Sequence, residues 1–553
     1  MDKLRRWRQI ARVVAAMAPA FMAASPVSAA QFKVLGWNDL GMHCMDADYG
    51  VFSILPPFNN LHAQVIDLTN SKLVKSGVSV TFEATPDLTG SINSYSLGKT
   101  NFWDYSKQLF GVDLAPGIGL GGFATAGFTP QTMSFDTASS MHLAVGIPIT
   151  PFDDNKVRNT YPMVRVAARD SVGNVLAEGH VILPVSDEMT CIACHSSSSG
   201  DAAKPSRGWV KDPNKEKDYR RNVLSRHDDI QTGRSTYLAA LAQLGYNPAG
   251  LLATADGGRP ILCAACHSSN ALPGTGLAGI SSLTQATHTL HAKVTDPATG
   301  LLLGSETNRD ACYMCHPGSQ TKCLRGVMGN AKNPDGSLAI QCQNCHSTMQ
   351  KVGAANRVGW LQQPTCQACH HNGLRDLSAL DSRGNVKKPA DKRFATNANV
   401  PSQGYNLYRF SKGHGGLQCE ACHGSTHAEY TSSHDGDNVQ SIETQGHVGT
   451  LAECSACHAK VPTTTTGGPH GLHTIGSAWV GRHGSAAEAN RQACAYCHGK
   501  DFRGSPLGKA QSARSFSVEG RTVKYSAGQQ VTCYDCHNGP GGGDLTAAKT
   551  ASR

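Results

Sequence analysis

The sequence predicts two unlike regions: an N-terminal all-β, sandwich-like domain over residues 31–190, and a mostly irregular region of short helices over residues 191–538. Three observations predict this. Short β-type runs, punctuated by Gly, Pro, Asn and Asp, recur through the first region, as in a sandwich. Nine copies of the pentapeptide Cys-x-x-Cys-His fill the second, beginning at Cys191, Cys263, Cys312, Cys342, Cys366, Cys419, Cys454, Cys494 and Cys533. The composition is lean, with 6% aromatic and 40% hydrophobic residues and 58 glycines in 553. Side chains alone make a thin core for a chain of that length, so the second region is expected to be organised around something other than its own side chains.

In chain order, residues 1–30 read as a signal peptide. Lys3, Arg5, Arg6, Arg8 and Arg12 form a basic segment, Val13 to Ala24 is apolar, and small residues at Val27 to Ala30 suit cleavage. The apolar run is too short to span a bilayer, and no later stretch is long and apolar enough to do so. The β runs follow at 32–35, 63–66, 78–83, 142–149, 163–167 and 175–185, with a hairpin turn at Asp170 to Asn174. Leu183 to Thr190 leads directly into Cys191, so the β domain is expected to pack against the first motif. Residues 196 to about 221 and 372–404 read as polar surface loops, 237–244 and 283–293 as helices, and 539–553 as a flexible tail.

A single Cys-x-x-Cys is ambiguous, because zinc sites and dithiol chemistry use the same spacing. Here a His follows the second Cys nine times, which is the attachment pattern of haem c. The thiols form thioethers with the porphyrin and the following His binds iron. The expected cofactor is therefore haem c, nine per chain, held covalently by Cys191, Cys194, Cys263, Cys266, Cys312, Cys315, Cys342, Cys345, Cys366, Cys369, Cys419, Cys422, Cys454, Cys457, Cys494, Cys497, Cys533 and Cys536. The proximal iron ligands are His195, His267, His316, His346, His370, His423, His458, His498 and His537. Nine porphyrins also supply the missing apolar mass.

Of 24 histidines, 15 lie outside the motifs, enough to place a second His on every iron. His288 and His291 stand at i and i+3 of an expected helix and face one way. His371 adjoins a proximal ligand and can serve only a different iron. His414, His427, His447 and His483 lie close to motifs, mostly in Gly-containing loops. His470 and His473 share Gly468 to His473, and His227 lies between the first two motifs. These ten are the distal candidates. His434 reads as a spare, and His62, His142 and His180 as structural residues of the β domain. His43 lies among Met42, Cys44, Met45, Asp46 and Asp48, where a copper or calcium ion or a haem is an alternative to a structural role. The Asp spacing lacks the EF-hand pattern. Cys44 and Cys323, outside the motifs, are either a disulfide or two buried thiols.

Two His ligands leave iron no open position, so such a haem carries electrons and does not bind substrate. No motif ends in Lys. The formal charge is +9, but residues 1–30 carry five positive charges and Asp2, so their removal leaves +5. Ionised propionates on nine haems would turn the total negative, and no nucleic-acid reading is needed.

The chain resembles the large secreted multihaem c-type cytochromes of metal- and mineral-respiring bacteria. The resemblance rests on the nine motifs and on Gly36 to Cys44, Leu183 to Met189, Cys422 to His427 and Gly468 to His473. It implies an exported protein, periplasmic or extracellular at the cell surface. The expected activity is electron transfer to other redox proteins or to an extracellular acceptor, with self-association into filaments by analogy. Two alternatives stand beside the electron carrier: a reductase with one five-coordinate haem, and a β domain that binds a partner or mineral and is wired to the haems.

Overall fold

The computed structural model describes residues 31–357, 369–371, 374–375, 377–385, 387, 413–461, 465–466, 473–505, 508–510, 513–518, 520–526 and 528–540. The expected signal peptide, Cys366, His470, most of the 372–404 loop and residues 541–553 of the tail lie outside this set, as do the side chains of His370 and His371.

The N-terminal region runs β1 (Phe32–Asn38), β2 (His43–Cys44), β3 (Phe52–Ser53), β4 (Phe58–Asp67), β5 (Lys72–Leu73), β6 (Ser79–Thr85), α1 (Phe102–Phe110), β7 (Gln131–Thr132), β8 (Ser134–Asp136), β9 (Met141–Pro148), β10 (Met163–Arg169), β11 (Val175–Ile182) and β12 (Val185–Ser186). Two antiparallel sheets form. One has the order β1-β4-β9-β8, with β5 on β4; the other is β11-β10-β6-β7. Alternation in β4 sends Leu61, Ala63 and Val65 inward, where they meet Phe82, Val164 and Val166 of the second sheet in one buried cluster. The β10–β11 hairpin closes because the Asp170 carboxylate accepts the backbone N–H groups of Val172 and Asn174 at 3.0 and 2.8 Å.

The outer face of the first sheet is also buried. Leu35, Trp37, Ile66 and Met141 pack against Leu417, Ala421, Cys422 and Cys457. The β region therefore packs on the motifs at Cys419 and Cys454 as well as on the first one.

The second region contains α2 (Ile192–His195), α3 (Lys215–Gln231), α4 (Ser235–Leu244), α5 (Leu251–Asp256), β13 (Ile261–Leu262), α6 (Cys263–Cys266), α7 (Leu283–His291), α8 (Cys342–His346), α9 (Met349–Val352), the pair β14 (His370–His371) and β15 (Leu374–Arg375), α10 (Cys419–His423), α11 (Asp435–Gln445), the pair β16 (Thr465–Thr466) and β17 (Thr474–Ile475), α12 (Ser477–Val480), α13 (His483–His498) and the hairpin β18 (Arg514–Val518) and β19 (Arg521–Tyr525). One expectation fails: α3 begins inside the stretch read as a loop to about residue 221. Its start is encoded locally. The Asn214 side chain accepts the N–H groups of Glu216 and Lys217, and Glu216 and Asp218 occupy the positive first turn.

Buried charges join the two regions. Arg325 reaches the Asp437 carboxylate through Nε and Nη2 at 2.7 and 2.8 Å, and its Nη1 donates to the Gly41 carbonyl at 2.5 Å. Gly41 has φ +69°, and a Cβ there would stand 1.9 Å from the Thr426 carbonyl oxygen. Glu188 accepts four successive N–H groups, from Gly318 to Thr321, at 2.7–3.2 Å. Arg220 of α3 lies 3.9 Å from Asp46, whose carboxylate also accepts from Ser53, Ile54 and Leu55. The helix α11 lies on the second sheet, with Val439 against Met163 and Ile182, and the Gln440 side chain accepting from Gly36 N at 2.6 Å.

Both side chains of the Arg325–Asp437 pair are at most 4% exposed. Asp437→Asn strands a buried guanidinium and should cost about 3 kcal/mol or more in urea unfolding. A second expectation concerns His180 and Glu443, 2.6 Å apart across the β11–α11 seam. The Glu443 hydrogen bond holds the His180 ring above its ordinary range, against the opposing effect of burial. Its stabilisation is complete below the unfolded-state value of 6.5 and is lost as pH rises through the higher folded-state value. Glu443→Gln should therefore destabilise by about 0.5 kcal/mol at pH about 6, with the difference disappearing by pH about 9.

Candidate functional site: facing imidazoles along one cavity

Each described motif folds as a single turn, helical or 3-10. The His N–H donates to the carbonyl of the first Cys, at 3.0 Å for His195 and His267 and 2.9 Å for His316, His458 and His537. That i to i+4 link sets the first thiol and the imidazole on one face, a turn apart. All nine motifs contribute Cys or His side chains to a single branched cavity of about 3090 Å³. A site for one small ligand is usually 300–1,000 Å³, so this space is several sites joined end to end.

Across the cavity the motif histidines face other histidines. The ring centres are 6.4 Å apart in His195–His291 and His227–His267, and 6.3 Å in His288–His316 and His473–His498. They are 6.1 Å apart in His346–His427, 5.9 Å in His414–His458 and 5.8 Å in His483–His537. Seven motif histidines are thus each brought opposite one distal candidate. His423 has its Nδ1 3.5 Å from the Thr450 hydroxyl.

The rings are oriented from behind. Nδ1 donates to a backbone carbonyl in His267 (Ser281, 2.8 Å), His288 (Thr284, 2.8 Å), His291 (Thr287, 2.7 Å), His427 (Leu40, 2.9 Å), His483 (Val480, 2.8 Å) and His498 (Val531, 3.0 Å). The Ser71 hydroxyl meets His458 Nδ1 at 2.7 Å. In a neutral ring such a bond leaves Nε2 as the bare lone pair; in His427 the effect of burial is outweighed by the Cys323 thiol and Glu429, which push the ring up to about 10. Burial lowers the His195, His227 and His316 rings to about 4 and His346 to about 3, so they are neutral at pH 7. Neutral imidazoles are the form that binds a metal.

His447 departs from its expected place. Its Nε2 is 3.2 Å from Glu453 and its Nδ1 3.0 Å from the Val448 carbonyl, so both nitrogens are engaged at the surface. Closeness in sequence to Cys454 suggested a ligand, whereas the fold places the ring against the Glu453 carboxylate. His371 and His470 lie outside the described side chains. His434 stacks on Tyr161 at 3.8 Å and His43 on Phe58 at 3.9 Å. The calcium alternative at His43 loses its ligand, because Asp46 is taken up by Ser53, Ile54, Leu55 and Arg220. Cys44 and Cys323 form no disulfide, and the Cys323 sulfur lies 4.0 Å from His427 Nδ1.

The sequence could not show that β-region groups orient rings in the second region. The Leu40 carbonyl and the Ser71 hydroxyl come from 387 residues away in each case. No known family model, no curated protein and no solved structure matches the chain.

An iron porphyrin fits this donor set. Two metal–nitrogen bonds of about 2 Å put the two nitrogens about 4 Å apart, and the ring centres about 6 Å apart. Among the described residues no three His, Cys, Asp or Glu side chains converge as a cluster, which a closed structural zinc site needs.

Burial pushes the Cys44 thiol far above its usual range, with Cys323 adding to the shift. Iodoacetamide at neutral pH should therefore modify Cys44 at least about tenfold more slowly in native than in denatured protein, read by peptide mass spectrometry.

Proposed function

We propose that the chain is a multihaem c-type cytochrome that carries electrons along closely spaced haems. The observation that carries this reading is the set of seven facing imidazole pairs, each joining a Cys-x-x-Cys-His histidine to a second histidine about 6 Å away. When bound, haem supplies reversible one-electron chemistry at iron. The chain's own residues do the rest. The paired thiols would hold the haem covalently, and His227, His288, His291, His414, His427, His473 and His483 would bind its iron together with the motif histidines they face. Backbone carbonyls orient His288, His291, His427 and His483 through Nδ1 and would strengthen Nε2 as a donor. At these seven sites a second histidine would leave no coordination position for a substrate, which supports a carrier there.

The location proposed is outside the cytoplasm, because covalent haem attachment takes place there and the first 30 residues have the pattern of an export signal. Among the described residues no helix is long and apolar enough to cross a membrane. The partners proposed are other redox proteins or an extracellular acceptor.

The test is to export the full chain from a host with a haem c maturation system. The pyridine haemochrome should give nine haems per chain, and the ferric spectrum should be low-spin. His288→Ala should turn about one haem in nine high-spin and able to bind CO, whereas His447→Ala should leave the spectrum unchanged. A haem-free mature protein, or a native spectrum that is mainly high-spin, would sink the proposal.

A further inference from the structure

The motifs follow one another in sequence as Cys191, Cys263, Cys312, but the packing gives a different spatial order. The helix α7 places His291 6.4 Å from His195 and, one turn earlier, His288 6.3 Å from His316. One helical turn therefore spans the sites of the Cys191 and Cys312 motifs. On its other side the Cys191 motif meets the Cys263 motif. Cys191, Ile192 and Cys263 pack on the same buried cluster of Phe52, Tyr219 and Ile261. This contact is fixed by the parallel pairing of β13 with β3, which delivers Cys263 directly after Leu262.

Apart from the Cys191 motif, the elements described around the Cys263 site are α3, α4 and the loop at Ser281, which carry no motif among the described residues. His227 of α3 faces His267, Tyr237 of α4 stands 5.6 Å from His227, and Ser281 holds His267 from an exposed loop. Farther along, the motif at Cys342 adjoins that at Cys312. The Gln343 amide, inside the Cys342 motif, donates to the Asn308 and Arg309 carbonyls at 3.0 and 3.1 Å, just ahead of Cys312.

We infer that the Cys263 motif is a terminal site of the series, an electron port, and that the Cys191 motif is the junction joining it to Cys312 and the rest. The inference rests on the haem reading above. It makes the first motif in the sequence the second in space. The Cys191 site is then the one through which the port communicates, and the shared turn of α7 is the bracket that fixes the junction to its next neighbour. A redox partner using this port would meet the loop around Ser281 and the surface of α4.

The order is tested on the full, haem-loaded chain by measuring how the oxidation state of one site shifts the midpoint potential of another. His227→Met, His291→Met and His288→Met give the Cys263, Cys191 and Cys312 sites, in turn, a His–Met signature that can be followed separately by NMR redox titration. The expected result is a measurable mutual shift for Cys191 with Cys263 and for Cys191 with Cys312, and a clearly smaller shift for Cys263 with Cys312. A Cys263–Cys312 shift as large as the Cys191–Cys263 shift overturns the order while leaving the haem reading intact. A mature chain without haem overturns the haem reading itself, and the haem count of each preparation separates the two failures. Should a Met variant not load, the same pairwise shifts taken from the native protein's resolved haem resonances make the comparison.

Discussion

An imidazole whose Nδ1 is held by a backbone carbonyl has one direction left in which to act. In this protein that direction is across a cavity, toward a second imidazole. The constraint explains the short, irregular elements of the second region. A ring must be delivered to within a few tenths of an ångström of a partner from an unrelated stretch of chain, and each delivery uses the smallest element that fixes it. α7 uses two of its turns to orient two rings through their own i−4 carbonyls, Thr284 and Thr287. α13 presents His483 at its start and a whole motif at its end. His427 is held from outside its own segment by Leu40.

That requirement also accounts for the β region. A freestanding domain wired to the rest would leave its outer sheet face to solvent or to a partner. Here Leu35, Trp37, Ile66 and Met141 are covered by the segment from Leu417 to Cys457. The Gln64 side chain accepts from Gln418 N at 2.9 Å and donates to the Gly416 carbonyl at 3.3 Å. The sheet backs the segment that lines the cavity, and Leu40 and Ser71, in loops beside β1 and β5, reach two rings. Of the stretches that carry the family resemblance, Gly36 to Cys44 and Cys422 to His427 meet each other. Leu40 holds His427, and Gly41 lies so close to Thr426 that no side chain fits. These contacts tie the β region structurally to the segments that carry the later motifs.

The strands were legible because alternation and turn chemistry are local. The run read at 163–167 is β10 at Met163–Arg169, and Asp170 builds the hairpin from its own carboxylate. The i, i+3 spacing of His288 and His291 was legible for the same reason. α3 was not, because its residues are mostly charged and its buried face is made of Tyr219, Arg220, Asn222 and Leu224. Polarity suggested a loop, while Asn214 and the acidic first turn were the signs of a helix. His447 and His427 show the limit most sharply. Each lies a few residues from a motif in a Gly-containing segment. One is turned to the surface by Glu453, and the other is turned inward by Leu40, 387 residues away. Nothing within either segment separates them.

The lean composition and the large cavity are two sides of one physical problem. From Cys191 onward, cysteine or histidine side chains of every motif line the one large cavity. A chain with this little apolar surface to bury gains too little from its own side chains to offset the entropy of ordering long irregular segments. On the proposed reading the missing contact area belongs to the porphyrin faces, so ordering the second region and loading it are a single process, as in small metal-dependent domains. The β sheets, with their own complete core, are then the part able to hold structure first. The covered outer face of β1, β4 and β9 would offer the later segments a surface on which to assemble.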